Sequence, residues 1–169
     1  MRSPGFSLGM LDDSRRRSTI EGVALPILIR PFRPADQQVV RRLILDGLGE
    51  HFGVVDEAIN SDLDDIAAAY AEATLLVAEL DGEIVGCGAL IYEGDSIGRV
   101  VRMSVRKQLR RSGIATTILH ALLDRARSSG YRQVVLETGF WRDSISFYKG
   151  QGFHETSRDA YGPNMALEL

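Results

Sequence analysis

Arg110-Arg111-Ser112-Gly113-Ile114-Ala115 offers the clearest chemistry in the chain. It follows an apolar, strand-like run (residues 100–105) and opens a long amphipathic pattern. As Arg-x-x-Gly-x-Ala at a strand–loop–helix junction, it presents successive backbone N–H groups at the positive end of a helix dipole. That arrangement suits a phosphate or pyrophosphate. Gly113 lets the backbone approach a ligand closely and Ala115 keeps the first turn small. Arg110 and Arg111 add positive charge. The segment is not a P-loop, because no Gly-Lys-Ser/Thr follows, and it lacks the Gly-x-Gly-x-x-Gly dinucleotide fingerprint. Alone, it also reads as a plain turn.

The elements around it define an order. Residues 1–24, with Arg15-Arg16-Arg17 among Ser, Pro and Gly, lack periodicity and read as a flexible N-terminal extension to a domain over 25–169. Residues 25–32 form a strand, with Pro26 at its start or on an edge. A helix from Pro34 carries Val39, Val40, Leu43 and Ile44, and Gly47 and Gly49 end it. Residues 51–59 are irregular, and Ser61 caps a second helix over 62–71. Residues 74–80 and 83–92 flank Asp81-Gly82 as a hairpin. In the strand 97–105, alternation puts Val101, Met103 and Val105 on one face. The helix after Gly113 places Ile114, Ile118, Leu119, Leu122 and Leu123 on an apolar stripe, and Gly130 stops it. A strand (133–138), a short helix (143–150) and two short strands (153–156, 165–169) follow.

Composition narrows the class. The 169 residues, 44% hydrophobic and 25% charged, fit one soluble domain. A net charge of -3 gives no global reason to expect nucleic acid. The single cysteine, Cys87, excludes an intramolecular disulfide and fits a reducing, cytoplasmic setting. No apolar run suggests a membrane span, and no cluster has metal-ligand spacing. Between residues 43 and 98 there are thirteen acidic and no Lys or Arg residues, whereas 99–111 holds six basic and no acidic ones. Such neighbours suit an anionic donor and a cationic co-substrate.

The order and motifs resemble the GCN5-related N-acetyltransferase (GNAT) family over residues 27–169. Met103-Ser104-Val105 followed by Arg110 to Ala115 is similar to its acetyl-coenzyme A signature. Phe147-Tyr148-Lys149-Gly150-Gln151-Gly152-Phe153 is similar to its Tyr-x-x-x-Gly-Phe ending. The resemblance implies the acyl-CoA N-acyltransferase fold: an α/β (α+β-like) domain with a mixed, mostly antiparallel central sheet, a splayed strand pair and flanking helices. It implies acetyl-CoA as donor, held by Met103, Ser104, Val105, Arg110, Arg111, Ser112, Gly113, Ile114, Ala115, Thr116, Ser144, Phe147 and Tyr148. Two positions depart from the pattern: Trp141 and Ser144 stand where many members have Asn and Ala. Trp141 then packs on pantetheine, acceptor or core. A third departure is that residues 98–102 offer no carboxylate, where many members carry a Glu.

Direct attack of a neutral amine on a thioester needs alignment, an oxyanion site and a proton for the departing thiolate. Tyr148, a phenol with an ordinary pKa of about 10, is the expected acid. Glu137 is the expected base, directly or through water. His51, Phe52, Trp141 and Tyr161 are expected around the acceptor, and Glu50, Asp56, Glu57, Asp62, Asp64 and Asp65 make its surroundings acidic. The expected acceptor is therefore a cationic small-molecule or peptide amine. Monomer and homodimer both stay open. The alternatives are a non-catalytic acyl-CoA sensor of the same fold, or an acyltransferase for a longer chain or an oxygen nucleophile.

Overall fold

The computed structural model describes residues 15–20 and 23–169. One eight-stranded sheet runs β1-β2-β3-β4-β5-β6-β8-β7. The strands are β1 (Arg15–Ile20), β2 (Val23–Pro31), β3 (Thr74–Leu80), β4 (Glu83–Gly94), β5 (Ile97–Val105), β6 (Gln133–Glu137), β7 (His154–Arg158) and β8 (Pro163–Glu168). The helices are α1 (Gln37–Phe52), α2 (Ile66–Ala69), α3 (Ile114–Ser128) and α4 (Arg142–Gly150), with a 3-10 segment Glu57–Leu63 before α2. All pairings are antiparallel except β5 with β6, which the crossover through α3 makes parallel.

Two apolar layers flank the sheet. On one face the α3 stripe predicted from its spacing is buried: Ile118, Leu119 and Leu122 are fully enclosed with Val134, Leu136 and Phe153. Val40 and Ile44 of α1 pack on the other face with Leu63, Ile66, Val77 and Cys87. Each such side chain contributes about 1.5–3 kcal/mol by leaving water.

The opening that matters lies between β5 and β6. They pair only through Ile97–Arg99 and Gln133–Val135. Beyond this, β5 continues to Val105 against β4 alone, so its other edge carries unpaired backbone groups.

Several expectations need correction. Residues 15–20, expected inside a flexible extension, form β1 and pair with β2; the remainder of that expectation, residues 1–14 and 21–22, lies outside the described residues. Pro26 sits where β2 has overrun β3 and pairs only with β1, so its missing N–H costs no ladder bond on the β3 side. Helix α1 passes through Gly47 and Gly49 and stops at Gly53 (φ 75°). That places His51 and Phe52 on its last turn rather than in a loop. The second helix shrinks to Ile66–Ala69 and is capped by Asp65, whose carboxylate accepts from the Ala68 N–H at 3.0 Å, not by Ser61. In β5 the alternation breaks. Cys87 faces Ser104 and Ala89 faces Val101, so Arg102 and Met103 together oppose Gly88. Arg102 takes a left-handed φ of 55° in this bulge. Val101 and Arg102 thus both turn to the α1 face, while Met103 and Val105 join the α3 layer.

Candidate functional site

The basic segment after β5 builds an N–H cradle. Arg111 (φ 62°) and Gly113 (φ 84°) both adopt left-handed backbone, and Gly113 is the N-cap of α3. No side chain caps that first turn, so its leading N–H groups are left for an anion. The buried Ser112 hydroxyl donates to the Leu109 carbonyl and Thr117 Oγ1 donates to the Gly113 carbonyl at 2.9 Å. Both bonds brace the loop from behind. Ile114 is 1% exposed in the core, so only its backbone faces out. Ala115 and Thr116 are half-buried, and Arg111 is exposed. Arg110 is drawn sideways: its guanidinium bonds the Val105 carbonyl at 3.2 Å and pairs with Glu50 of α1 at 2.6 Å.

Helix α4, the element that follows β6, carries Ser144, Phe147 and Tyr148. The Tyr148 ring meets Phe147 and Phe153 edge-on, with centroids 5.0 and 5.8 Å away. The residue is 9% exposed, and burial pushes its phenol up to about 12. Among the described residues its hydroxyl has no hydrogen-bond partner, and it is not sealed from the surface. A protonated donor with a free valence is thus held on α4, within the apolar layer of α3.

Glu137 ends β6 opposite Asn164. Val134 and Leu136 face the α3 layer, so Glu137 emerges on the α1 face, exposed, where its charge is felt by Arg99. It forms no ion pair among the described residues.

Three of the four expected acceptor residues come together across the opening. The His51 and Trp141 rings stack at 4.0 Å with 23° between planes, and Phe52 meets Trp141 edge-on at 5.3 Å. Trp141 lies over Gly139, where an added Cβ would sit 2.7 Å from its ring. A side chain there would lift the indole from its seat. Tyr161 stays apart, 79% exposed, on a β7–β8 turn in which Asp159 accepts from the N–H groups of Tyr161 and Gly162 at 2.8 and 3.2 Å.

Desolvation, then the nearby Arg110 charge, holds the His51 imidazole below its ordinary range. Its folded value therefore lies below its unfolded value of about 6.5. The neutral ring's contribution is fully present above pH about 6.5 and is lost as pH falls through the folded value. His51→Phe, which keeps the stack, is expected to flatten this part of a Tm-against-pH curve. An unchanged slope would remove His51 as its source.

An anchor that the sequence did not disclose holds the segment of Asn60 and Asp62 to β5. Arg102 reaches Asp62 through Nε (3.0 Å) and the second guanidinium nitrogen (2.5 Å), and Asn60 Oδ1 at 2.9 Å. The Tyr70 hydroxyl donates to Asp62 at 2.6 Å. Burial opposes ionisation of Asp62, but the Tyr70 and Arg102 hydrogen bonds hold its carboxyl below the usual range. Burial, then the bond to Asp62, pushes the Tyr70 phenol up to about 12. Asp62→Ala leaves Arg102 unpaired and is expected to cost about 2 kcal/mol, read as a fall in Tm of roughly 4–8 °C. The figure is at the low end because both side chains keep some water contact. A Tm within 1 °C of the parent, on the order of measurement error, would contradict the anchor.

Cys87 is fully buried, and desolvation pushes its thiol up to about 12. It is no nucleophile. Among the described residues no group of three His, Cys, Asp or Glu side chains converges to hold a metal ion, and no helix is long and apolar enough to cross a membrane.

The Acetyltransferase (GNAT) family profile matches residues 42–153. The rat protein N-acetyltransferase family 8 member 2 is 39% identical over 110 residues, covering 60% of this chain and 49% of its own length. The chain thus spans about half the length of that relative. The IAA acetyltransferase of Azospirillum brasilense is 32% identical over 133 residues, covering 77% of this chain and 84% of that protein. Among solved structures, a GNAT-family acetyltransferase from Staphylococcus aureus Mu50 superposes with a TM-score of 0.79 at 20% identity, covering 85% of this chain and 99% of that one. The PaiA N-acetyltransferase of Thermoplasma acidophilum, in complex with coenzyme A, gives 0.74 at 16% identity, covering 85% and 99%.

Proposed function

The chain belongs to the acetyltransferase (GNAT) family, and from this premise we propose that it moves an acetyl group from acetyl-coenzyme A directly to a primary amine. The observation that carries the reading is the uncapped, left-handed entrance of α3 after the unpaired end of β5, with an unpartnered Tyr148 hydroxyl on α4. The residues fit this donor. The N–H groups of residues 113–116 take the pyrophosphate, with Arg110, Arg111 and Ser112 around them. The free edge of Met103, Ser104 and Val105 pairs with the pantetheine amides, while Ser144, Phe147 and Tyr148 line the α4 side.

In the reaction a C–N bond forms as the thioester C–S bond breaks. The amine proton passes to Glu137, which stands free on the face from which the acceptor enters. The carbonyl oxygen gains charge against the backbone N–H groups of the β5 edge. The Tyr148 phenol, raised to about 12 by burial, keeps its proton. An alkyl thiolate is a weaker base than a phenolate so raised, so outright release would be uphill and Tyr148 donates a hydrogen bond to the leaving sulfur. Solvent completes its protonation.

The acceptor is a small-molecule or peptide amine, and the single buried cysteine supports a cytoplasmic setting. Nucleic acid, a membrane and a resident metal have no part in this reading, and it holds for a monomer or a homodimer. Thiol release from acetyl-CoA across a panel of primary amines tests it, with product masses raised by one acetyl group. Glu137→Gln is expected to lower kcat about 100-fold or more without weakening acetyl-CoA binding. Tight acetyl-CoA binding with no turnover on any amine would instead support the sensor reading of the same fold.

A further inference from the structure

The acidic stretch beside the opening suggested a cationic acceptor, but four of its carboxylates are already ion-paired. Glu50 pairs with Arg110, Asp62 with Arg102, and Glu57 and Asp64 with Arg41. Asp56 and Asp65 accept from the backbone N–H groups of Ala58 and Ala68. Glu137, at the end of β6, has no ion pair among the described residues. The ring cluster begins at Trp141, four residues beyond the end of β6. Phe52 is 63% exposed, and the His51–Trp141 stack spans from α1 to the segment after β6.

Resting on the acetyltransferase reading, we propose that the acceptor is a monoamine carried on an aromatic or flat apolar body, seated against His51, Phe52 and Trp141. One free carboxylate serves one amine. A polyamine's second ammonium would have to displace Arg41, Arg102 or Arg110 to pair with Glu50, Glu57, Asp62 or Asp64. The stacked and edge-on rings present faces and edges at the geometry with which aromatic groups pair. The neutral imidazole adds no charge that would repel an amine or demand an anionic body. Apolar contact therefore selects the acceptor, and charge acts only at the reacting nitrogen.

The test compares 2-phenylethylamine and tryptamine with n-butylamine, putrescine and spermidine, using acetyl-CoA and the full chain. The expected kcat/KM for the two aryl amines exceeds that for butylamine and spermidine by about tenfold or more. Phe52→Ala and Trp141→Leu are expected to shrink this ratio below about threefold, chiefly through KM. Trp141→Phe, which keeps a ring over Gly139, is expected to retain most of it. Turnover with spermidine equal to or above the aryl amines would overturn the proposal while leaving acetyl transfer intact. An aryl preference untouched by Phe52→Ala and Trp141→Leu would also overturn it, as would a dimer, seen by light scattering, that Phe52→Ala dissociates. Binding of acetyl-CoA without turnover on any amine would remove both this proposal and the reading beneath it.

Discussion

Tyr148→Phe is expected to lower kcat at least about 100-fold while acetyl-CoA affinity stays within about twofold and Tm within about 2 °C. The split follows from what the hydroxyl does in the folded chain. Its ring is fixed by Phe147 and Phe153, and phenylalanine keeps both contacts. The oxygen itself has no partner among the described residues, so its removal breaks no native hydrogen bond and relieves a desolvated polar group. A residue kept only for packing would be insensitive to this substitution. A hydrogen-bond donor to the leaving sulfur would not be. Burst-free steady-state kinetics beside calorimetric binding of acetyl-CoA separates the two, and full turnover in the variant would take Tyr148 out of the mechanism.

Gly113→Val is expected to raise the KM for acetyl-CoA about 30-fold or more and to leave the acceptor KM nearly unchanged. At φ 84° a β-branched residue is strained by roughly 1–3 kcal/mol. The cheapest escape is to rotate the loop, which turns away the N–H groups that the anion needs. Losing one charge-assisted hydrogen bond of about 2 kcal/mol corresponds to about 30-fold. Acetyl-CoA titration of the variant checks this. A loss confined to thermal stability, with KM unchanged, would make Gly113 a turn residue only.

These two residues were legible in the sequence because their signals are local. Glycine after a basic loop, at the head of an apolar helical stripe, announces the cradle. The Tyr-x-x-x-Gly-Phe ending places the phenol one helix and one strand later. The hairpin 74–92 and the strand 97–105 were equally plain from Asp81-Gly82 and β-branched runs. What failed depends on distant partners. Gly47 and Gly49 read as helix stops, yet α1 uses the bare backbone at Gly47 to lie close to β5, where an added Cβ would sit 3.4 Å from Ser104 Oγ. The bulge at Arg102 requires β4 opposite it and Asn60, Asp62 and Tyr70 to hold the guanidinium. No period-2 reading contains that information. The acidic stretch hid its own pairing for the same reason, since a count of carboxylates does not reveal that Arg41, Arg102 and Arg110 already pair with Glu50, Glu57, Asp62 and Asp64. His51, Phe52 and Trp141 were each named individually, but their assembly across the opening arises only once α1 extends to Phe52.

The central claim is that the α3 entrance, the free β5 edge and Tyr148 form one acetyl-CoA site, and a crystal structure of the complex tests it most directly. The account predicts pyrophosphate oxygens within hydrogen-bond reach of the N–H groups of residues 113–116, at roughly 2.7–3.2 Å. It also predicts pantetheine amides paired to residues 103–105 and the sulfur within about 3.5 Å of the Tyr148 hydroxyl. Pyrophosphate bound away from Gly113, or a thioester lying on the far side of β6 from Tyr148, would contradict it.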